Sequence, residues 1–417
     1  MRADELDGAP RSVVVVGAGV VGLSTAWFLQ EHGVEVTVVD RRTTAAGASW
    51  GNAGYLSPVF SVPLPEPAVL RYGLRSLLDP NSPLYVPLSV APNLWRFLAG
   101  FARQCTWTAW RRSMRAFVPL NKECLAAFDQ LTSGGVESPT NAAPITAAFE
   151  HSEQIGDLRR EFRMIEECGQ QVEFTELQGR DDSVPQLSDR ISAVLRVHGQ
   201  RYVDPGEFTR SLADSVTKRG GTVRSGFAVE EVGRENGVSV VRSQTGERIT
   251  ADAVVLANGS WLNRLARPLG VRQLVQAGRG YSFTVPTDEP VPGPIYLPAV
   301  RVACTPYQGQ LRVAGTMEFR SPDAPLDDRR IEAIVRSARP LLRGVHWEKR
   351  RDEWVGPRPV SVDGKPLIGA TRMPGTYVAG GHGMWGLTLG PVTGRLLADQ
   401  IVLGKQPAEL RPFNPLR

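Results

Sequence analysis

The chain has 417 residues, of which 42% are hydrophobic and 22% are charged, and its formal net charge at pH 7 is +5. This length exceeds what one hydrophobic core usually holds, so we expect two domains. The small positive excess gives no reason to expect nucleic-acid binding, whereas it suits an anionic cofactor, a carboxylate substrate or weak contact with an anionic membrane surface.

Cysteine usage and the N-terminal sequence indicate the compartment. Cys105, Cys124, Cys168 and Cys304 are widely separated and form no C-x-x-C pair, which favours reduced, structural thiols. Residues 1–10 have no apolar core, so we expect no secretory signal, and no apolar stretch is long enough to span a bilayer. We therefore predict a cytoplasmic protein with at most peripheral contact with the inner face of the membrane.

The first predicted elements form a strand–turn–helix unit. Residues 13–16 are four valines, and Gly17, Gly19 and Gly22 follow in the spacing G-x-G-x-x-G. Gly17 permits a tight turn, Gly19 lets the backbone approach a pyrophosphate, and Gly22 lets the next helix, residues 20–32, pack on the strand. The N-terminus of that helix would then face the phosphates.

A second strand, residues 36–39, ends at Asp40, which stands 23 positions after Gly17. That is close to the spacing of the acid that binds a ribose hydroxyl in dinucleotide sites. Arg41 and Arg42 could hold a 2′-phosphate, but Asp40 would repel that group, so we expect an unphosphorylated ribose. The unit predicts a dinucleotide site; the alternative is an ordinary βαβ unit whose glycines serve packing.

The next segments alternate between loops and helices. Residues 45–55 are so rich in glycine and small side chains that we expect backbone pressed against a ligand, a flexible linker being the alternative. After a proline-rich stretch at 58–92, residues 94–115 read as an aromatic, basic amphipathic helix. It could lie on a membrane surface, but a core-facing helix of a cap domain is the favoured interpretation. Another helix is predicted at 120–131.

The second half of the chain returns to buried strands. A helix at 207–219 precedes several strands, and the strand at 253–257 runs into a turn at Asn258 and Gly259. From 272 to 350 the pattern is that of antiparallel strands. Strands of a nucleotide-binding domain thus return after a long insertion.

The C-terminal stretch contains a second glycine-rich turn. Arg358 stands between two prolines in a predicted stiff loop, and a strand at 376–379 opens into the turn at 380–388. The helix predicted at 390–403 would aim a second N-terminus at a ligand. Two such turns, one near each end of the chain, fit one large ligand held from both sides.

These motifs resemble those of the D-amino-acid oxidase superfamily of FAD enzymes, and most of all its bacterial D-amino-acid dehydrogenase branch. The matching segments, in the family's order, are 17–22 with Asp40, 51–54, 279–281, 311–318, 354–369 and 381–383. Glycine and sarcosine oxidases share most of them, and D-hydroxyproline dehydrogenases are close relatives. Some D-amino-acid dehydrogenases have an arginine where this chain has Pro306, which leaves the substrate open.

The element order and the resemblance together imply an α/β fold with two interleaved domains. A Rossmann-type FAD-binding domain would comprise residues 1–57, 190–270 and 352–417. An α+β substrate domain built on a mainly antiparallel sheet would comprise residues 58–189 and 271–351.

The resemblance also implies the chemistry. A hydride would pass from the substrate Cα to flavin N5, and the resulting imino acid would hydrolyse to a 2-oxo acid and ammonia. The substrate would be a D-amino acid or a related amine such as a D-hydroxyproline, and the electron acceptor a quinone or another carrier. Two alternatives stay open: an oxygen-using oxidase of the glycine or sarcosine type, and a non-catalytic flavin-binding subunit.

The resemblance assigns the substrate carboxylate to Arg358, because an arginine binds both carboxylate oxygens with its planar fork. Arg301 and Arg279 are lesser candidates. Tyr281 and Tyr307 are candidates to wall the pocket or to donate a hydrogen bond.

His382 is a candidate general base, since its ordinary pKa is near neutrality, but packing beside the flavin is the favoured interpretation. The other histidines show no ligand spacing, so we predict no metal. The residues expected to bind FAD are Gly17, Ala18, Gly19, Val20, Gly22, Asp40, Arg41, Ala48, Ser49, Asn52, Ala53, Gly54, Val229, Asn258, Gly259, Gly381, His382, Gly383, Met384, Trp385, Gly386, Leu387 and Thr388.

Overall fold

The computed structural model describes residues 3, 6–70, 84–86 and 91–417. The predictions that fall on residues 1–2, 4–5, 71–83 and 87–90, including much of the proline-rich stretch, lie outside the described residues.

The helices and strands alternate along the chain. The helices are α1 (Val20–Glu31), α2 (Pro92–Gln104), α3 (Trp107–Ser133), α4 (Ile155–Glu167), α5 (Pro205–Lys218), α6 (Leu262–Ala266), α7 (Asp328–Ala338) and α8 (Gly386–Leu403). The strands are β1 (Ser12–Val16), β2 (Glu35–Val39), β3 (Tyr55–Leu56), β4 (Leu84–Tyr85), β5 (Asn141–Ala142), β6 (Ile145–Phe149), β7 (Phe174–Gln178), β8 (Ala193–Val197), β9 (Arg201–Tyr202), β10 (Thr222–Arg224), β11 (Val229–Glu235), β12 (Val238–Ser243), β13 (Arg248–Ala251), β14 (Ala253–Leu256), β15 (Val275–Val285), β16 (Ile295–Leu297), β17 (Val302–Tyr307), β18 (Gln310–Phe319), β19 (Arg351–Ser361), β20 (Leu367–Ala370) and β21 (Thr376–Gly380).

The cofactor side of the molecule is a six-stranded sheet in the order β10-β2-β1-β14-β21-β20. Neighbouring strands are parallel except for β20 and β21. In β1, Val13 and Val15 pack into the core that contains α1 and α8, whereas Val14 and Val16 pack into the core that contains α6. The four-valine run is thus a strand buried on both faces, as parallel sheets require.

A large, mainly antiparallel sheet forms the other side. Its order is β19-β15-β18-β17-β16-β6-β8-β7, and β4 pairs with β18. Its main core lies between the sheet and α7. Smaller three-stranded sheets, β11-β12-β13 and β3-β9-β5, complete the molecule. The predicted fold class is confirmed: a parallel sheet and an antiparallel sheet are interleaved along one chain.

The structure differs from the sequence expectations at three places. The single helix expected at 94–115 is two helices, because α2 ends at Gln104 and Thr106 caps a new helix by accepting a hydrogen bond from the Ala109 amide. The helix expected at 120–131 is the second half of α3. The loop expected around Arg358 is strand β19, which tolerates Pro357 and Pro359 because it is the edge strand of its sheet.

Sheet pairing also departs from the predicted domain boundaries. Strand β8, and β19 except for its first residue, fall within segments assigned to the FAD-binding domain, yet they pair with β6 and β15 in the antiparallel sheet. The domain boundaries themselves stay a prediction. No helix in the described part of the chain has the length and apolar character needed to cross a bilayer.

Helices α1 and α8, from opposite ends of the chain, pack at a glycine. A Cβ built on Gly394 would lie 2.6 Å from the backbone carbon of Ser24 and 2.6 Å from the amide nitrogen of Thr25. Because the obstacle is backbone, it cannot rotate away. Gly394 therefore sets how closely the two helices approach.

We predict that Gly394→Ala lowers the free energy of unfolding by about 1–3 kcal/mol, the usual cost of overpacking a core. Gly156→Ala in α4 is the matched control, since its added Cβ meets nothing within 4 Å. The control should be neutral or stabilising by up to about 1 kcal/mol. Chemical unfolding of both variants measures the difference, and equal stabilities would contradict the packing argument.

Candidate functional site

The first cavity opens where the parallel strands β1, β14 and β21 end, and its floor is the glycine turn after β1. Gly17 has a φ of +120°, and a Cβ there would overlap the carbonyl oxygen of Ala257. A Cβ on Gly22 would overlap the carbonyl oxygen of Gly17. A Cβ on Gly19 would meet only the Ser49 hydroxyl, at 3.2 Å. Gly17 and Gly22 therefore allow the backbone to form this tight turn. Gly19 leaves space in the cavity that a side chain would occupy.

The N-terminus of α1 faces this cavity. Gly19 is the N-cap residue, and because glycine has no side chain it cannot cap the helix. The amide of Val20 donates to the Ser49 hydroxyl over 3.1 Å, and both Val20 and Val21 line the cavity. The amides of a first helical turn have no partner inside the helix, and the helix dipole makes that end positive. This wall is suited to phosphate oxygens.

Asp40 joins the strand β2 to the glycine turn. One carboxylate oxygen accepts a hydrogen bond from the amide of Ala18 and the other from the amide of Arg42, each at 2.8 Å. A carboxylate has about four lone-pair positions, so each oxygen can still accept a hydrogen bond from a ligand hydroxyl. The two amides hold the carboxylate at the cavity wall in the orientation expected of a ribose acceptor.

The Arg41 side chain interacts with other residues of the protein. Its guanidinium stacks on the Trp261 ring at 3.7 Å and donates to Asp323 over 2.8 Å. The second oxygen of Asp323 accepts from the Trp261 indole nitrogen at 2.9 Å. Because this cation is stacked and neutralised, it is poorly placed to hold a 2′-phosphate, which agrees with the expectation of an unphosphorylated ribose.

The opposite wall comes from later segments of the chain. The Asn258 side-chain oxygen is buried and has no hydrogen-bond partner, although the residue lines the cavity. Gly386 and Leu387 bring the N-terminus of α8 to the same cavity. The helix begins four residues earlier than predicted, with Pro391 inside it. Two helix N-termini, a ribose acceptor and an unsatisfied amide oxygen fit a dinucleotide such as FAD.

Most residues assigned to the cofactor line this cavity. They are Gly17, Gly19, Val20, Asp40, Arg41, Ala48, Ser49, Asn52, Val229, Asn258, Gly259, His382, Gly383, Met384, Gly386 and Leu387. The remainder, which the structure places outside the lining of the first cavity, are Ala18, Gly22, Ala53, Gly54, Gly381, Trp385 and Thr388. Several of these support the wall from behind: Ala18 anchors Asp40, and the Thr388 hydroxyl donates to the carbonyl of Tyr55 at 3.1 Å.

A second cavity adjoins the first and is mostly apolar. Asn52, Arg358 and Met384 line both. The other lining residues of the second cavity are Ala53, Tyr55, Phe60, Leu64, Val69, Leu84, Tyr296, Arg301, Ala303, Ala314, Gly315, Thr316, Met317, Phe319 and Trp385. This list contains no aspartate, glutamate or histidine.

Arg358 stands at the junction of the two cavities. Its Nη1 donates to the carbonyl of Thr316 over 2.9 Å, and burial lowers the pKa of Arg358 to about 10. The side chain is therefore still a cation at neutral pH. Within the described residues no carboxylate forms an ion pair with it, in contrast to the many arginines that do. A partly desolvated cation without a counter-charge is costly, and an anionic ligand bound beside it would reduce that cost.

Two residues expected near the substrate lie elsewhere. Tyr281 is fully buried and donates to Glu318 over 2.7 Å, and the guanidinium of Arg279 lies 3.3 Å from the same carboxylate. Neither residue lines either cavity. Burial, followed by the hydrogen bond to Glu318, raises the pKa of Tyr281 well above its ordinary value, so its proton is held in this network. Both side chains serve the interior of the antiparallel sheet.

Tyr307 also lines neither cavity. The Arg312 guanidinium lies 3.9 Å from the centre of its ring and 5.2 Å from that of Trp50. The tyrosine thus takes part in a cation–π stack rather than in a pocket wall. Arg301 does line the second cavity, and its Nη2 lies 3.9 Å from Glu66.

His382 is buried in the second glycine turn and bonds to the Thr393 hydroxyl at 3.0 Å. Burial lowers the pKa of His382 to about 3. The imidazole is therefore neutral at physiological pH and too weak a base to take a proton from an ammonium group. Its placement agrees with the packing interpretation.

Sequence reasoning missed wall residues that come from segments without a motif, such as Phe227, Gln244 and Trp261. It also missed the apolar side chains of the second cavity, and it assigned no role to Thr316 although this residue lies in the matching segment 311–318. The wall residues outside the motifs lie in ordinary strands and loops, so no spacing could have singled them out. Within the described residues, no cluster of three or more potential metal ligands occurs.

Comparison with known proteins identifies the family of this chain. A family model described as FAD dependent oxidoreductase matches residues 12–400. D-amino acid dehydrogenases from Xanthobacter autotrophicus and Methylobacterium nodulans are 32% and 31% identical over 407 and 404 residues, which is 95% of this chain and 96% of each relative. A solved glycine oxidase from Bacillus cereus is similar in fold, with a TM-score of 0.72, 22% identity and coverage of 98% of this chain and 99% of the other.

We predict that Gly19→Val weakens FAD binding at least about tenfold, because the branched side chain would occupy the space beside the α1 N-terminus. The FAD content of the purified protein measures the effect. Gly233→Val is the control, since its added Cβ meets nothing within 4 Å in strand β11. Full FAD content in the Gly19 variant would contradict the placement of the pyrophosphate.

We predict that His382 makes stability fall as the pH falls below about 6.5. An unfolded histidine takes up a proton near that pH, whereas His382 in the folded protein does so only near a pKa of about 3. Between these values the unfolded state binds more protons, at a cost to folding of up to about 1.4 kcal/mol per pH unit. Chemical unfolding at pH 7 and pH 5 should show a shallower dependence in His382→Asn. Identical dependence would show that the histidine protonates in the folded state.

Proposed function

The chain belongs to the family of FAD-dependent oxidoreductases, and on that basis we propose that it is a D-amino-acid dehydrogenase. The single observation that carries the substrate assignment is Arg358, a half-buried cation without an ion-pair partner in the described chain, placed where the two cavities meet. The named relatives, which match nearly the whole chain, support the same assignment.

The first cavity holds the cofactor. The N-terminus of α1 would hold the pyrophosphate, Asp40 would accept from a ribose hydroxyl, and Asn258 and the N-terminus of α8 would hold the cofactor from the opposite wall. When bound, FAD supplies the acceptor for a hydride, which is chemistry that no amino-acid side chain provides. The protein's own task is to bind the substrate, orient its Cα and keep water away.

Arg358 binds the substrate carboxylate. The guanidinium reaches the carboxylate from the junction of the cavities, so the Cα would be held beside the first cavity and the side chain in the second. The phenylalanines and aliphatic residues of the second cavity exclude water, which strengthens the ion pair. Positioning a substrate in this manner supplies a large part of an enzyme's rate enhancement.

The structure offers no base for the substrate amine within the described lining of the second cavity. That lining has no carboxylate or histidine, and His382 is both buried and neutral. We propose that the ammonium group loses its proton to water before or during binding. The oxidised product, an imino acid, then hydrolyses to a 2-oxo acid and ammonia.

The electrons must leave to an acceptor, for which we propose a quinone or another carrier. We place the enzyme in the cytoplasm, with peripheral membrane contact at most. The cysteines are all free and buried, which agrees with a reducing compartment. Anaerobic mixing with D- and L-amino acids tests the function, since only the D-enantiomers should bleach the flavin.

We predict that Arg358→Ala lowers the second-order rate of flavin reduction at least about 30-fold while FAD stays bound. A carboxylate that loses its partner in a desolvated site costs roughly 2–5 kcal/mol. Arg358→Lys should recover only part, because an ammonium lacks the two-pronged geometry.

Stopped-flow reduction at increasing D-amino acid concentration measures these rates. Arg272→Ala removes an exposed arginine that lines neither cavity and is the control. An unchanged rate of flavin reduction in Arg358→Ala, with a large loss of that rate in Arg301→Ala, would assign carboxylate binding to Arg301 instead.

A further inference from the structure

Strand β18 contains a bulge beside the second cavity. Gly315 pairs with Tyr281 and Glu318 pairs with Arg279, so two residues of β18, Thr316 and Met317, lie opposite Gly280 alone. An extra residue in one strand disrupts the ladder and turns the local side chains and carbonyls away from their regular directions. Bulges of this kind are common next to active sites, where they aim a group.

The bulge holds Thr316 in an uncommon backbone conformation. Its φ is +58°, in the left-handed region that β-branched residues rarely adopt. Strain of this type costs about 1–3 kcal/mol and persists only where the surrounding structure imposes it. Glycine or asparagine would adopt this conformation more easily, so packing alone gives no reason for a threonine.

One group that the bulge aims is the Thr316 carbonyl, which accepts the hydrogen bond from Arg358. The guanidinium lies over Gly280, where a Cβ would overlap its central carbon. The bulge and the glycine opposite it thus fix the arginine between them. Any residue at position 316 could supply this carbonyl, so the carbonyl does not explain the side chain.

The other group is the Thr316 hydroxyl. The residue is 8% exposed and lines the second cavity, yet its Oγ1 is buried without a hydrogen-bond partner. A buried hydroxyl left unsatisfied costs about 1–3 kcal/mol. The hydroxyl belongs to the same residue as the carbonyl that holds Arg358, and both residues line the second cavity.

We propose that the Thr316 hydroxyl donates a hydrogen bond to the same substrate carboxylate that Arg358 binds. This inference rests on the proposed function. A carboxylate accepts about four hydrogen bonds, and an arginine fork fills two of them, so an acceptor position remains for a hydroxyl beside the fork. In its strained conformation Thr316 then has two roles. Its carbonyl orients Arg358, and its hydroxyl completes the binding of the substrate carboxylate.

The test compares Thr316→Val with Thr316→Ser and Thr284→Val. Valine keeps the shape and β-branching of threonine, so it removes the hydroxyl without a new backbone preference. Thr284 is the matched control, since it lies in the adjacent strand β15, is fully buried and also has an unpartnered hydroxyl, but lines neither cavity. Thermal unfolding and FAD content establish that each variant is folded and loaded.

Two measurements are made on each folded variant. Anaerobic stopped-flow reduction gives the apparent dissociation constant and the limiting rate for the D-amino acid that reduces the wild type fastest. Competition with propionate, which has the carboxylate but no amine, gives an inhibition constant that does not depend on turnover.

We expect Thr316→Val to raise both constants at least about tenfold, as for a hydrogen bond to a charged group, with a limiting rate within about threefold of wild type. Thr316→Ser should stay near wild type, and Thr284→Val should change neither constant. Unchanged propionate inhibition in Thr316→Val would overturn the proposal, even if the D-amino acid bound more weakly. If no D-amino acid reduces the wild type, the proposed function fails instead, and direct titration of the flavin absorbance with propionate still decides whether Thr316 contacts a carboxylate.

Discussion

A guanidinium that is partly removed from water without a carboxylate partner is costly, and one edge of the antiparallel sheet is arranged to hold Arg358 in that condition. The edge strand β19 carries the arginine between two prolines, which are tolerated there because an edge strand has amides that need no ladder partner. The neighbouring strand offers Gly280, whose missing side chain leaves room for the guanidinium. The strand beyond it bulges to present the Thr316 carbonyl. Residues of three strands, β19, β15 and β18, thus position the single charge of Arg358.

The cofactor cavity depends on backbone more than on side chains. Its walls are two helix N-termini, two glycine turns and the ends of parallel strands, and the main side-chain contribution is the Asp40 carboxylate held by two amides. Parallel sheets bind ligands at the carboxyl ends of their strands, where helix N-termini collect. Because β1 and β2 lie near the start of the chain and β21 near its end, the cavity can close only when the chain returns to its first sheet.

The sequence predicts the parts of the site that depend on local order. The strand of four valines, the glycine spacing and Asp40 follow one another within 30 residues, so their geometry is set by one βαβ unit, and the structure has the expected elements. Tyr281 and Tyr307 show the limit of such reasoning. A tyrosine in a strand looks the same whether it faces a cavity, a buried acid or an arginine. Only strand pairing across 37 positions brings Glu318 to Tyr281, and the β17–β18 hairpin brings Arg312 to Tyr307. The role of Thr316 could not be predicted for a related reason. A bulge is a mismatch in the pairing of two strands, so the sequence of either strand alone does not reveal it.

The close contact between α1 and α8 has a consequence for how the protein is made. Helix α1 leaves the ribosome long before Gly394 and its helix, because it stands far earlier in the chain. Until then, part of the apolar surface of α1 that belongs to the shared core has no covering helix from its own chain. Surface left open in this way is prone to aggregation and is a target for chaperones. A nascent chain that stalls before α8 would have the glycine-rich turn and Asp40 but only one of the two walls of the cavity.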